Sequence, residues 1–242
     1  NTDDFLYCKW NYVENWESNA IYPAKIEFDK YKNEMRELSY EEILQRTYCF
    51  SEAKSVWTYI ANTEKLSQNL IYKSILNEIA NTDTRVMELY SISVVQRALD
   101  REAYNYWDNI KKNTSGTGGL FGPQPSDMRG NIVCDANPDE VVLGYINVST
   151  LSFKRTFIDW AKEQIFRVDC AIELLVKMRY TENGEPIYVW KQYYGKGYRP
   201  FAFSDWEMFG PAHKNYALWA EKDWCTDCRL YSNSTKPDFW PR

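Results

Sequence analysis

The residue pair with the clearest chemical potential is Cys225 and Cys228, three positions apart near the carboxyl end. Such a pair exchanges disulfides when it lies at a strand-to-helix turn, where the amino terminus of the helix lowers the thiol pKa. Only 14 residues follow Cys228, and Pro237 and Pro241 are among them. The sequence therefore leaves no room for the rest of a thioredoxin-like fold and disfavours a redox site.

The remaining cysteines are Cys8, Cys49, Cys134 and Cys170, which lie far apart in the chain. A structural zinc site needs a second close pair or two histidines, and His213 is the only histidine. An even number of widely spaced cysteines is typical of structural disulfides in an oxidising compartment. We therefore predict disulfides among six candidates whose connectivity stays open: Cys8, Cys49, Cys134, Cys170, Cys225 and Cys228.

The sequence contains no recognisable catalytic motif. His213 has no G-x-S-x-G elbow or comparable signature beside it. The glycines between 116 and 122 follow a predicted helix and lack a Gly-Lys-Ser/Thr ending, so they indicate turns and not a phosphate loop. Acidic pairs such as Glu41-Glu42 leave a carboxylate-dependent hydrolase open, because such an enzyme needs two carboxylates across a cleft. We predict no catalytic residue, no metal site and no cofactor.

Aromatic residues are the compositional excess of this chain, with 10 Trp, 19 Tyr and 11 Phe in 242 residues. They crowd the segment 188–206, and most of them must pack in the interior. Tyr and Trp are also favoured at interfaces, because each combines a large apolar ring with a polar group. We predict a partner-facing surface formed by Trp190, Tyr193, Tyr194, Tyr198 and Trp206.

The charge pattern excludes nucleic acid as a partner. The formal net charge is −5, and the densest basic spots, Lys111-Lys112 and Lys154-Arg155, are only two residues long; a phosphate-binding stripe is longer. No apolar stretch approaches the ~20 residues that span a bilayer. The chain begins at Asn1 without a methionine or a signal segment, so we expect a lipid anchor in a preceding segment.

Local patterns in the first half predict the elements that position these residues. Alternation from Phe5 to Ile21 predicts a strand, and the β-branched segment from Val86 to Ala98 predicts another. Ser39-Tyr40-Glu41-Glu42 has capping-box spacing and predicts a short helix. Asp100 predicts the start of a helix over Arg101 to Lys112.

Patterns in the second half predict two hairpins and a helix. Val141 to Val148 and Leu151 to Ile158 alternate and would form a hairpin turning near residues 149–150. Asp159 would cap a helix through Ala161 and Ile172, whose apolar positions are spaced by three and four. Asn183-Gly184, between alternating segments, predicts a tight hairpin. Beyond Gly197 the pattern predicts irregular aromatic loops.

These elements predict an α+β fold, an antiparallel β-sheet with a few helices and long aromatic loops. The length suits a single domain over 1–242, with a weak sub-boundary near residue 159.

Several segments, taken in order, resemble the outer-membrane lipoproteins catalogued as the domain of unknown function four-two-four-nine (DUF4249), from about Trp10 to Trp240. The segments are Tyr104–Trp107, Gly118–Ser126, Arg129–Ile132, Val142–Tyr145, Lys154–Ile158, Cys225–Cys228 and Lys236–Trp240. The resemblance implies a rigid loop shaped by Gly118, Gly119, Leu120, Phe121, Pro123, Gln124, Pro125 and Ser126. Residues 159–222 match poorly and are expected to be an insertion specific to this member.

The resemblance also implies a cellular setting. Members are exported lipoproteins of gram-negative bacteria, with genes beside TonB-dependent transporters of the SusC type and an amino-terminal β-sandwich that this chain lacks. No activity is established for them, so no catalytic residue is carried over. The implied function is a surface-exposed, non-catalytic accessory lipoprotein of an outer-membrane TonB-dependent β-barrel, capturing ligand or capping the barrel, with other outer-membrane lipoproteins as further partners.

Two alternatives stay open. A structural subunit of a larger outer-membrane assembly would co-purify with a barrel in the absence of any substrate. A carboxylate-dependent glycan hydrolase would need two facing acids and at least one strongly raised pKa.

Overall fold

The computed structural model describes residues 5–115, 130–137, 140, 142, 144–163, 169–204 and 215–241. Within them, antiparallel sheets and short helices confirm the predicted α+β class. The strands are β1 Tyr7–Asn19, β2 Ile26–Asp29, β3 Glu34–Glu37, β4 Tyr48–Lys54, β5 Tyr59–Asn62, β6 Leu89–Ala98, β7 Leu151–Asp159, β8 Ile172–Val176, β9 Arg179–Tyr180, β10 Pro186–Ile187, β11 Arg199–Phe203 and β12 Tyr216–Ala220. The α-helices are α1 Tyr40–Thr47, α2 Arg101–Ser115, α3 Trp160–Glu163 and α4 Val189–Gly195.

The strands form two larger sheets and two hairpins. A five-stranded sheet has the order β4-β1-β6-β7, and β5 also pairs with β1, with Tyr7 opposite Asn62. A three-stranded sheet has the order β11-β12-β8, and β2-β3 and β9-β10 pair as hairpins. No helix among the described residues is both long and apolar enough to cross a membrane.

By compactness the chain divides into two units. Unit 1 comprises residues 1–14, 53–78 and 91–157, and unit 2 comprises residues 15–52, 79–90 and 158–242. Whether the chain acts as one domain stays a prediction.

In unit 1, helix α2 packs on strand β1. The Asp100 carboxylate accepts a hydrogen bond from Ala103 N at 2.7 Å, which confirms the predicted amino-terminal cap. One turn later the Trp107 ring lies 2.7 Å from the Lys9 Nζ, measured to the ring centre. Burial of this ammonium group, together with the nearby charge of Arg97, lowers the pKa of Lys9 to about 8.

In unit 2, the largest aromatic side chains form the core. Trp190 and Trp219 are almost completely buried, and Phe28 from β2 packs edge-on to both, with ring centres 6.3 and 5.7 Å away. The Trp190 Nε1 donates to the Leu175 carbonyl oxygen at 2.9 Å, so this buried polar atom has a partner. The β2 hairpin and helix α4 are thereby held on the three-stranded sheet.

Two disulfides hold the carboxyl-terminal segment of unit 2. Cys49 bonds to Cys228 and Cys170 bonds to Cys225, with Cα atoms 5.9 and 6.2 Å apart. The two cysteines of the Cys-x-x-Cys motif thus have different partners.

The disulfide prediction is confirmed for these four cysteines and wrong for Cys8 and Cys134, which are free thiols. Cys8 is buried opposite Ala61 of β5, where the ladder brings no second cysteine to it. Burial raises the pKa of the Cys8 thiol.

The predictions that depend on a few neighbouring residues are confirmed. The Ser39 side chain accepts from Glu42 N while the Glu42 side chain accepts from Ser39 N, which is the predicted capping box of α1. Gly184 has a φ of +83°, as a tight turn requires, and it connects β9 to β10. The predicted strand from Phe5 to Ile21 is β1.

The predicted hairpin of Val141–Val148 with Leu151–Ile158 is wrong in its first strand. The second strand is β7, but it pairs with β6. The backbone of Ile146 bonds instead to one side chain, because the Asn131 Nδ2 donates to Ile146 O at 2.7 Å and Ile146 N donates to the Asn131 Oδ1 at 2.8 Å. The described residues of 142–150 therefore form no strand.

The predicted helix from Ala161 to Ile172 is also wrong at its end. Helix α3 covers Trp160–Glu163, and residues 164–168, with Ile165 and Val168, lie outside the described residues. Ile172 begins β8 opposite Ala220 of β12. Beyond Gly197, where irregular loops were predicted, β11 and β12 pair with each other. Strand β8 pairs with β12, which lies far along the chain, so the spacing around Ile172 could not reveal the strand.

Candidate functional site

Two adjoining depressions of unit 2 share Glu27, Phe28 and Tyr194, and we call them together the Tyr194 cleft. The larger has a volume of about 470 Å³ and is lined by the β2-β3 hairpin, with Tyr31 at its turn. The smaller has a volume of about 190 Å³ and is lined by charged side chains, among them Arg46, Arg199, Asp223, Asp227 and Arg229.

The turn of the β2-β3 hairpin is built by its own side chains. The Asp29 Oδ1 accepts hydrogen bonds from Lys32 N at 3.1 Å and Tyr31 N at 2.8 Å. These two bonds lower the pKa of Asp29, and Asn33 completes the turn with a φ of +54°. The Tyr31 side chain is 86% exposed at the tip of this turn.

The Tyr194 ring is held by two neighbours. Its centre lies 5.4 Å from that of Phe28 and 4.2 Å from the Arg199 Cζ, a cation–π distance. The Arg199 Nη1 also donates to the carbonyl oxygens of Tyr198 and Tyr194, at 2.9 and 3.2 Å. Tyr194 therefore presents a ring of fixed orientation to the cleft.

A chain of ion pairs runs along the wall of the cleft. The Arg36 Nη2 lies 2.6 Å from the Glu27 Oε2 and 2.8 Å from the Glu42 Oε1, and the Arg46 Nη2 lies 3.2 Å from the Glu27 Oε1. Burial raises the pKa of Glu27, but the bonds and charges of Arg36 and Arg46 outweigh it and lower this pKa. Arg36 likewise lowers the pKa of Glu42 to about 2, helped by Ser39 N. Both carboxylates stay ionised at neutral pH.

Arg46 also offers an unused donor. Its Nε is buried and donates to none of the described residues, although Arg46 lines the smaller depression. An unpaired buried N–H is costly, so this donor is a strained feature of the wall beside the cleft.

Four carboxyl groups among the described residues have lowered pKa values, whereas a general acid needs a raised pKa: Glu27, Asp29, Glu42 and Asp83. Among the described residues no group of three His, Cys, Asp or Glu side chains could hold a metal ion. His213 lies outside the described residues.

The aromatic residues predicted to face a partner lie in different places. Trp190 is a core residue with 1% exposure, and Tyr193 and Tyr198 are half-buried and pack at 5.0 Å between ring centres. Tyr194 lines the cleft, and Trp206 lies outside the described residues. A partner-facing role stays a prediction for the tyrosines, whereas Trp190 is too deeply buried to contact a partner.

Sequence reasoning missed the charged wall of the cleft. Glu27 and Arg36 lie directly opposite each other across the β2-β3 hairpin. A local signal was present, because Asp29 and Asn33 are turn-forming residues and the flanking Glu27 and Arg36 carry opposite charges.

A second cluster joins segments on which the family resemblance depends. In unit 1 the Tyr106 and Tyr145 rings lie 5.2 Å apart, centre to centre. A side chain at Gly130 would collide with the carbonyl oxygen of Gly144, so only glycine fits there. With the Asn131–Ile146 bonds, described residues of three segments meet: 104–107, 130–132 and 144–146. The loop Gly118–Ser126 lies outside the described residues.

A family model described as domain of unknown function (DUF4249) matches residues 7–155, more than half of the chain. The chain belongs to this family. No curated protein and no solved structure matches it. The DUF4249 match includes the β2-β3 hairpin and the Gly130–Gly144 contact, and it ends within β7, so Tyr194 and three of the four disulfide cysteines lie beyond it. The predicted extension of the match to Trp240 stays a prediction.

Proposed function

We propose that this DUF4249 chain is a non-catalytic accessory lipoprotein at the cell surface, working with a TonB-dependent transporter of the outer membrane, and that its Tyr194 cleft captures the ligand. The observation that carries the proposal is the construction of the cleft. A rigid aromatic ring, ionised acids and arginine side chains line an open depression, and the described residues that line it include no nucleophile paired with a base.

The two disulfides support a place outside the cytoplasm. Cytosolic thiols are kept reduced, so buried structural disulfides are typical of exported proteins. Both bonds close long loops, with sequence separations of 179 and 55, and the four cysteines that form them are buried.

The first experiment is an affinity purification of the full-length, lipid-anchored protein from outer membranes, with bound proteins identified by mass spectrometry. A stoichiometric TonB-dependent barrel is the expected result. Absence of any barrel under mild detergent would refute both the transporter role and the assembly-subunit alternative.

A second experiment tests the cleft. Native mass spectrometry of the purified protein should detect a co-purified small molecule, and Tyr194→Ala should abolish it. The matched control is Tyr180→Ala, because Tyr180 is 65% exposed in unit 2 and does not line the cleft. Equal retention by both variants would place the ligand elsewhere.

One observation favours the structural-subunit alternative. Unit 1 exposes aliphatic side chains of the kind that protein interfaces cover, such as Val56 at 88%, Ile75 at 71% and Val148 at 98%. A barrel that co-purifies with Tyr194→Ala while no small molecule binds the parent protein would select this alternative.

A further inference from the structure

Strand β7 lies at the edge of the five-stranded sheet and exposes large apolar side chains. It ends the order β4-β1-β6-β7, and none of the other described strands pairs with its outer side. Leu151 is 57% exposed and Phe153 is 60% exposed. Natural edge strands are usually short, bulged, interrupted by proline or protected by charged side chains such as lysine, because an open edge invites pairing. β7 is nine residues long and contains no proline.

The ladder with β6 shows which backbone groups point outward. Ala98 N donates to Thr150 O at 3.1 Å, so these residues form a hydrogen-bonded pair. Residues of an antiparallel ladder alternate between pointing at the partner and pointing away. Leu151 and Phe153 therefore direct their N–H and C=O groups to the open edge. A row of donors and acceptors with this spacing is matched by another extended backbone.

Charge decides what kind of strand fits. Lys154 and Arg155 lie at the middle of β7, with Lys154 exposed and the Arg155 Nη1 donating to the Ser91 Oγ at 2.9 Å. A second copy paired antiparallel about Arg155 would place the two Arg155 residues opposite each other and each Lys154 one position away, which is unfavourable. A carboxylate at that place would be favourable.

We propose that β7 binds an extended segment of another protein by strand addition, and that this segment carries an acidic residue flanked by apolar ones. The apolar residues would lie beside Leu151 and Phe153, and the acidic one beside Lys154. The neighbouring Ile146 and Val148, 70% and 98% exposed, extend the apolar surface. This interaction does not depend on the Tyr194 cleft or on a transporter partner.

Amide hydrogen exchange, resolved by NMR in the whole chain, tests whether the edge is open. The amides of Leu151 and Phe153 should exchange rapidly, and those of Ser152 and Lys154, which bond to β6, should be protected. Protection of Leu151 and Phe153 equal to that of Ser152 would mean that the chain covers its own edge, and it would overturn the proposal.

A labelled peptide tests the occupant. The probe is a fluorescein-labelled peptide as long as β7, alternating valine and threonine with one central glutamate, and binding is followed by fluorescence anisotropy. Phe153→Pro removes one outward N–H and should weaken binding by about 5- to 10-fold. Phe153→Val keeps the N–H and should stay within about threefold of the parent protein.

The charge requirement is tested with a central-lysine peptide. The parent protein should prefer the glutamate peptide, and Lys154→Glu should reverse that preference, without depending on whether Phe153→Pro folds. No preference in either protein overturns the proposal, as does equal binding by folded Phe153→Pro. A concentration-dependent dimer abolished by Phe153→Pro, measured by sedimentation, would make a second copy the occupant and would also overturn it.

Discussion

Units 1 and 2 are stabilised in different ways. Among the described residues, unit 2 contains both disulfides and the buried apolar clusters around Trp190, Cys225, Cys228 and Phe50. Unit 1 contains the free thiols and a buried lysine over an aromatic ring. Unit 2 thus has disulfides in addition to apolar packing, whereas the described part of unit 1 has sheet pairing and buried side chains on β1 and α2, such as Trp10 and Ala103, without a disulfide.

The two units also differ in the large apolar side chains that they expose. Among the described residues, the large apolar side chains that unit 1 exposes are mainly aliphatic, and those of unit 2 are mainly tyrosines. The unit 1 set includes Val56, Leu66, Leu70, Ile75, Val133, Ile146, Val148 and Leu151, and the unit 2 set includes Tyr31, Tyr40, Tyr48, Tyr180 and Tyr188. A tyrosine hydroxyl stays hydrated, but an aliphatic side chain gains only when covered. We therefore expect the aliphatic surface of unit 1 to gain more from being covered than the tyrosine surface of unit 2.

Among the changes that test this comparison, removal of the disulfides should have the largest effect on the free energy of unfolding. Replacing Cys49 and Cys228 by Ser should lower the free energy of unfolding by about 5 kcal/mol, and replacing Cys170 and Cys225 by about 4 kcal/mol, because the sequence separations are 179 and 55. Urea unfolding measures the loss, and hydrogen exchange should locate it in unit 2.

The matched control is Cys134→Ser, a free and partly exposed thiol, which should cost less than about 1 kcal/mol. If unit 1 loses protection as early as unit 2 in the disulfide variants, the two units are not stabilised separately.

Tryptophan truncation sharpens the contrast between core and surface. Trp190→Ala should cost about 3–5 kcal/mol, because it opens a cavity and leaves Leu175 O without its donor. Trp57→Ala in unit 1, where the side chain is 59% exposed, should change stability by less than about 0.5 kcal/mol. A large cost for Trp57→Ala in thermal unfolding would mean that the unit 1 surface supports the fold of this chain.

Lys9 should make unit 1 sensitive to pH. Its folded pKa of about 8 lies below the ordinary 10.5, so the unfolded chain binds more protons between these values. The free energy of unfolding should therefore rise with pH across that window. Lys9→Met should lack this rise and be more stable at pH 7 by about 1–3 kcal/mol. Exposed Lys65→Met is the control, and an unchanged pH profile in Lys9→Met would contradict the shifted pKa.

Removal of one helix cap in each unit should give the smallest effects on the free energy of unfolding. Asp100→Ala in unit 1 and Ser39→Ala in unit 2 should each cost about 1 kcal/mol, since each removes the acceptor of a first-turn amide. Hydrogen exchange of the Ala103 and Glu42 backbone amides measures the stabilisation lost with each cap. Asp100→Asn should retain most of the cap, and a cost equal to that of Asp100→Ala would argue against capping as the cause.

Much of the local structure was predictable, and the failures share a cause. The cap at Asp100, the capping box at Ser39 and the turn at Gly184 depend on residues within a few positions. The strand predicted over Val141–Val148 failed because the Asn131 side chain takes the backbone bonds of Ile146. Ile172 fits a helical spacing, but β12 makes it a strand residue.

The candidate site was predicted only in part. Tyr194 belonged to the predicted aromatic surface, and it lines the cleft. Its neighbours Glu27 and Arg46 were not predicted, because nothing in their spacing shows that β2, α1 and α4 meet. Trp190, in the same crowded segment as Tyr194, faces the core instead.

By itself the sequence determined the α+β class, the helix caps, the glycine turn and membership in DUF4249. The tertiary structure alone decided that Cys225 and Cys228 bond to different partners and that β7 is the last of the described strands in its sheet. Caps and turns follow from conformational preferences and hydrogen bonds within one turn of chain. Disulfide partners and sheet order follow from packing between segments as far apart as Cys49 and Cys228, and many arrangements satisfy the same local pattern until one buries the most apolar surface.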